Sequence, residues 1–322
     1  MSETLPVDLR ARLKDFPVIG APLFIISNPD LVIAQCKNGV VGSFPALNAR
    51  PVEVLDEWLA RITEELAEHD AKNPDQPSAP FAVNQICHPS NDRLAHDVEM
   101  CVKHKVPVVI TSLNPPKEVV QAVHSYGGII MHDIISVRHA EKALEQGVDG
   151  LICVAAGAGG HAGMLSPFAL VKEIRSFFDG PIALSGAISY GGAVLAAQAM
   201  GADFAYIGTR FIATEEANAD PAYKQMIVDS AAKDVVYTNL FTGVHGNYLS
   251  KSVSNAGLDP LDLPVADKSK MNFGSGGNTR AKAWKDIWGA GQGVANIENY
   301  GPVADVINEM KAEYAAAKAK LA

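Results

Sequence analysis

A chain of 322 residues is long for one ordinary domain and suits an α/β barrel carrying an insertion. Its formal net charge of −9 repels phosphate backbones, so nucleic acid is not an expected partner, and 48% apolar residues can fill a large core. Cys36, Cys87, Cys101 and Cys153 show neither CxxC nor zinc spacing and read as reduced, buried thiols; Met1–Lys14 lacks the apolar core of a signal peptide, and no apolar run approaches the ~18 residues of a membrane span. These features lead to the expectation of a soluble, cytoplasmic protein without membrane contact.

Taken in chain order, eight strand-like runs appear: Pro17–Pro22, Val40–Phe44, Phe81–Cys87, Pro107–Leu113, Ile129–Ile134, Gly150–Ala156, Pro181–Ala187 and Phe204–Ile212. Most are apolar throughout, as parallel strands buried on both faces require. Helical patterns lie between them. Pro51–His69 places Val54, Leu55, Trp58, Leu59, Ile62 and Leu66 at helical spacing. Ala71–Pro80 reads as a surface loop, and Leu94–Lys105, Lys117–Tyr126 and Val137–Gln146 each follow a strand. Ser166 and Pro167 read as an N-cap and first helical residue, and Gly201 is placed to end Gly192–Met200.

Eight βα units predict a TIM (βα)8 barrel, with an open doubly wound sheet as the alternative. After the eighth strand, Thr214–Leu263 reads as helical and then turn-rich. Lys268–Gly293, with Gly274, Gly276, Gly277, Gly289, Gly291 and Gly293, reads as an insertion over the barrel mouth. Pro302–Leu321 is an amphipathic helix whose Val303, Val306, Ile307 and Met310 suit docking on the barrel wall. The expected division is a barrel over 1–213, an inserted cap or substrate region over 214–293, and a returning C-terminal helix within 294–322.

In such a barrel the strand C-termini form the active face. Here they read Gly20-Ala21-Pro22-Leu23-Phe24, Asn84-Gln85, Thr111-Ser112, His132-Asp133, Gly157–Gly163, Ser185-Gly186-Ala187-Ile188 and Gly208-Thr209-Arg210. The loops after strands seven and eight are where barrels bind phosphate; glycine admits the ligand to backbone N–H groups and Thr209 adds a hydroxyl. Gly157–Gly163 fails the dinucleotide fingerprint, because Ala162 stands at its third required glycine. It reads instead as a flat surface for a planar ring, with His161 as its titratable group. His132 at the end of strand five is a candidate for the pocket or the cofactor, and Asp133 for orienting a neighbour or pairing with Arg138. His69, His96, His104, His124 and His139 fall on helices and are expected in solvent. His88 and His245 lie in loops without an assigned role.

With these residues in view, the chain resembles the nitronate monooxygenases, formerly 2-nitropropane dioxygenases. The matching pieces are Ala21-Pro22, Asn84, Val137-Arg138-His139-Ala140, Gly159-Gly160-His161-Ala162-Gly163, Ser185-Gly186, Gly208-Thr209-Arg210-Phe211 and Ala290-Gly291-Gln292-Gly293. The resemblance implies an FMN-binding barrel with a smaller cap. It implies contacts to FMN from Ala21, Pro22, Leu23, Asn84, His132, Gly159, Gly160, Ser185, Gly186, Ala187, Gly208, Thr209, Gly291 and Gln292. His161 would be the catalytic histidine, with Ala290–Gly293 closing over the flavin. The chain departs from the pattern at Leu23-Phe24, at Ala187 in place of a second glycine, and at Asp133 where relatives can carry a lysine.

The implied reaction is FMN-dependent oxidation of alkyl nitronates by O2 to a carbonyl compound and nitrite. His161 would hold the nitronate anion if protonated, or remove the α-proton of a nitroalkane if neutral. A small site lined by Phe24, Ile25 and Met164 would suit short alkyl groups. The alternative is an NAD(P)H-dependent reductase of quinones or enoyl thioesters. A ligand-binding flavoprotein without turnover has little in its favour, and a nucleotide-biosynthesis barrel would need a loop cysteine, whereas Cys153 lies inside strand six. The acidic surface and Ala-rich last helix fit a monomer or a homodimer.

Overall fold

The computed structural model describes residues 7–13, 15–114, 117–265 and 286–321. Glycines 274, 276 and 277, and with them most of the stretch expected to cover the mouth, lie outside those residues, as do Met1–Pro6 and Lys14.

The eight apolar runs form eight parallel strands, Val18–Gly20, Gly42–Pro45, Phe81–Cys87, Val108–Leu113, Ile129–Ile134, Gly150–Val154, Ile182–Ser185 and Phe204–Ile207. Each pairs with its neighbour, the first pairs with the eighth through Val18↔Ala205, and a parallel bridge Ile19↔Val41 joins the first to the second. The ring therefore closes, which leaves no unpaired edge and rules out the open sheet.

Closure divides each strand into two faces. Ile19, Val41, Ile110, Met131, Ile152 and Phe204 fill the barrel interior, and Leu13 of the helix Val7–Leu13 packs into the same cluster. The alternate positions, such as Val83, Val109, Ile130 and Leu151, pack outward beneath the helices. Both faces are apolar, so burial alone drives strand formation.

The helices follow from amphipathic spacing. Val54–Lys72 buries Leu55, Leu59, Ile62 and Leu66. Pro29–Lys37 was not expected as a helix. Its start is fixed by Asn28, whose Oδ1 accepts the Leu31 N–H at 2.8 Å, with Pro29 in the first turn. Ser166 stands before the helix Pro167–Arg175 as expected, but its side chain makes no capping bond. Gly201, at φ +106°, follows the helix Gly191–Ala199.

Beyond the eighth strand the chain is less helical than its sequence reads. The helix Pro221–Val228 is followed by two antiparallel strands, Val235–Thr238 and Gly246–Leu249. The second pairs with a short strand at Gly160–His161 through Gly246↔His161 and Asn247↔Gly160. The presumed flat glycine surface is thus the edge of a three-stranded sheet. Finally, Val303–Leu321 lies against the helix Gly191–Ala199, burying Val303, Val306, Ile307 and Met310. Among the described residues, no helix is long and apolar enough to cross a membrane.

Candidate active site

The strand C-termini open into one pocket of about 1270 Å³. It is lined by Ala21, Pro22, Leu23, Asn84, Gly159, Gly160, His161, Ser185, Gly186, Ala187, Gly208, Thr209 and Gly291. Two candidates do not line it. His132 belongs to the outward-facing phase of strand five, is 1% exposed, and meets the Thr111 hydroxyl through Nδ1 at 2.8 Å. Burial and the neighbouring His139 push its pKa down to about 4. Gln292 is exposed, and its backbone N–H donates to the Gly157 carbonyl at 2.9 Å.

The wall is built by close approach of two loops. A Cβ on Gly159 would come within 2.7 Å of the Gly291 nitrogen, so only glycine permits this contact. The Gly291 N–H donates to Thr209 Oγ1 at 2.9 Å, and Ser189 Oγ donates to the Gly293 carbonyl at 2.8 Å. The segment Ala290–Gly293 is therefore bonded into the wall of the pocket. Gly186 adopts φ +144° and Ala187 φ +55°, a conformation costly to a residue with a Cβ. Ile25 and Leu113, at φ +69° and +79°, are strained in the same sense and also line the pocket.

His161 is held by the loop that joins the two added antiparallel strands. Its Nε2 lies 2.8 Å from Thr242 Oγ1, which itself donates to the Val244 carbonyl at 3.0 Å. Burial lowers the His161 pKa to about 4, so the imidazole is neutral at neutral pH. Charge-based holding of an anion by His161 is thereby disfavoured.

Opposite it, inward-facing polar groups form a chain on the barrel floor. Asn84 Nδ2 donates to Ser112 Oγ at 2.8 Å, and Ser112 donates to Asp133 Oδ2 at 2.6 Å. Burial pushes the Asp133 carboxyl up to about 6, against the opposing Ser112 bond. Tyr206 lies nearby, and burial followed by the Asp133 charge raises its phenol well above the usual range. The expected pairing of Asp133 with Arg138 is replaced by the Ser112 bond, and Arg138 is exposed.

Several lining residues escaped sequence reasoning. Tyr223, Phe241, Thr242, Val244 and Trp288 enter from the region after the eighth strand. Tyr223 and Trp288 stack with centroids 4.9 Å apart, and the Tyr223 hydroxyl donates to the Gly289 carbonyl. None carries a local motif; the helix Pro221–Val228 brings in Tyr223, and the hairpin loop joining the two antiparallel strands brings in Phe241, Thr242 and Val244. His139, expected in solvent, is exposed but stands on the pocket rim. His104 and His124 are bonded to Asp56 and Asp149 at 2.6 and 2.9 Å. Phe24 and Ile25 line the pocket as expected, whereas Met164 is 77% exposed and points away. All four cysteines are buried, and burial pushes each thiol up to about 12, which makes them poor nucleophiles.

A family model described as nitronate monooxygenase matches residues 9–313. A nitronate monooxygenase of Paraburkholderia phytofirmans is 24% identical, covering 93% of this chain and 92% of its own length. Among solved structures, a nitroalkane oxidase from Streptomyces ansochromogenes aligns with a TM-score of 0.76 at 23% identity, over 95% of this chain and 97% of that one. FabK from Thermotoga maritima aligns with a TM-score of 0.75 at 21% identity, over 98% of each chain. At these identities the two structures speak for the barrel fold.

Proposed function

The chain belongs to the nitronate monooxygenase family of oxidoreductases, and on that premise we propose that it oxidises alkyl nitronates with O2 to a carbonyl compound and nitrite, using bound FMN. The observation that carries this reading is His161, a neutral imidazole fixed by Thr242 on the wall of a pocket with room for a cofactor and a small substrate.

The residues present fit a flavin mononucleotide. Ser185-Gly186-Ala187 and Gly208-Thr209 stand together on the lining at the barrel's usual phosphate position. Thr209 Oγ1 accepts the Gly291 N–H, which leaves its own hydroxyl proton to give to an anion. Ala21, Pro22, Leu23, Asn84 and Gly160 offer a mostly small or apolar surface to a planar ring. The buried Asp133 Oδ1, without a hydrogen-bond partner among the described residues, is a polar atom that a ligand would satisfy. Flavin, when bound, supplies the electron acceptor and the route to O2.

The protein's own part is proton handling and placement. With the single Thr242 hydroxyl proton on the Val244 carbonyl, a lone pair of Oγ1 is left to accept Nε2–H of His161. In that tautomer Nδ1 is the basic nitrogen, suited to taking the α-proton when a neutral nitroalkane enters. We assign residues 214–293 to the substrate cap on the strength of Tyr223, Phe241 and Trp288 in the lining.

The test is spectroscopic. FMN-loaded protein is mixed anaerobically with ethyl nitronate or with NADH. Bleaching of the flavin band by nitronate, with nitrite formed on admitting O2, is expected. Bleaching by NADH alone would replace this reading with that of a reductase.

A further inference from the structure

A carboxyl group, Asp133, lines the floor of the pocket. Asp133 Oδ2 accepts the Ser112 hydroxyl, and Ser112 accepts Asn84 Nδ2, so one oxygen is fixed by a two-step chain. Oδ1 is buried and has no hydrogen-bond partner among the described residues. The titratable groups of the surrounding lining are Tyr206 on the eighth strand, His139 after the fifth, His161 on the wall and Tyr223 on the helix Pro221–Val228. Arg50, the lining's arginine, is engaged elsewhere: its Nε donates to the Leu47 carbonyl and its guanidinium lies 5.5 Å from the Phe24 ring centre. Asp220 and Asp286 also line the pocket, at its cap side.

We propose that Asp133 meets the polar edge of the bound flavin ring through Oδ1 and makes the cofactor's reduction potential depend on the carboxyl's protonation. This rests on the FMN reading above and goes beyond it by giving this chain its own electrostatic control. Oδ2 is already occupied as an acceptor, so a proton on the carboxyl resides on Oδ1 and points to the ligand. Below about pH 6 the group is a neutral donor; above it, an anion faces the ring. A donor favours the electron-rich reduced ring, whereas a carboxylate opposes it.

Two readouts on FMN-loaded protein test this without turnover: the midpoint potential and the affinity of the oxidised flavin for sulfite, each at pH 5 and pH 8. In wild type both are expected to fall more steeply with pH than in Asp133→Asn. At pH 8 the variant should bind sulfite about tenfold more tightly, the effect of removing one adjacent like charge. Ser112→Ala provides a second variant. It removes a bond that lowers the carboxyl pKa, so the inflection should move to higher pH. Loaded wild type and Asp133→Asn with matching pH dependence, or an inflection unmoved by Ser112→Ala, would overturn the assignment while leaving FMN in place. Failure of wild type to take up FMN would overturn the cofactor reading and this proposal together.

Discussion

At the residue scale, His161 and its partner decide the chemistry. His161→Asn is expected to keep flavin binding while lowering turnover on nitroalkane about 100-fold, the usual worth of a positioned base; unchanged turnover would remove the residue from the mechanism. In wild type the base must be neutral, so kcat/KM for a nitroalkane should hold down to weakly acid pH and fall as pH drops through about 4. Thr242→Val loses the tautomer control, with kcat falling more than KM rises and Thr242→Ser restoring it. Ala187 allows a different measurement. Its φ of +55° suits glycine and its side chain is exposed, so Ala187→Gly should raise stability by about 0.5–1 kcal/mol in urea unfolding. Of the positions that matter here, His161, Asn84, Gly186 and Thr209 were legible as polar or glycine residues ending apolar runs. Thr242 was not, because its bond to His161 spans 81 positions of sequence.

The elements explain how the last helix is held. Gly191 opens the helix Gly191–Ala199, and its N–H donates to a Glu313 carboxylate oxygen at 2.7 Å. A Cβ there would lie 2.1 Å from the Met310 carbonyl oxygen and 2.3 Å from the Tyr314 nitrogen. These are backbone atoms of Val303–Leu321, so the helix itself would have to shift. Gly191→Ala is expected to cost about 3 kcal/mol, read as a lower urea midpoint. A midpoint within error of wild type would show that the two helices are not packed this closely. Most helix ends were legible from apolar runs and caps, but the strands are shorter than their apolar runs: Phe204–Ile212 reads as one strand, whereas the strand is Phe204–Ile207 and Thr209–Ile212 is helical. The hairpin Val235–Thr238 and Gly246–Leu249 was not legible, since its short, mixed-polarity strands carry little periodic signal and gain their partner at Gly160–His161 only in the folded chain.

For the whole molecule, pH acts through buried groups of opposite sense. His132 and His161 are held neutral, each with its pKa lowered to about 4. Their contribution is fully present above the unfolded value near 6.5 and is lost as pH falls toward 4, on the order of 3 kcal/mol for His132. Asp133 works the other way: its contribution is present below about 3.8 and is lost as pH rises through about 6. The urea midpoint should therefore fall between pH 6.5 and 4 in wild type, and Asp133→Asn should raise it at pH 8. A flat profile would show that these groups titrate alike in folded and unfolded chains.

Eight parallel strands were legible from the residues alone, because strands buried on both faces must be apolar throughout, and so was the gathering of polar and glycine residues at one end. Closure of the sheet into a barrel was not, since it rests on the pairing Val18↔Ala205 and the bridge Ile19↔Val41. That same double burial hid which face each residue takes. His132 and Asp133 are adjacent at the end of one apolar strand, and no alternation distinguishes them. Only ring closure fixed the phase, turning His132 toward the helices and Asp133 into the pocket. Tertiary structure also decided the protonation of His161, because desolvation depends on what folds over a residue, and here that cover comes from a distant hairpin.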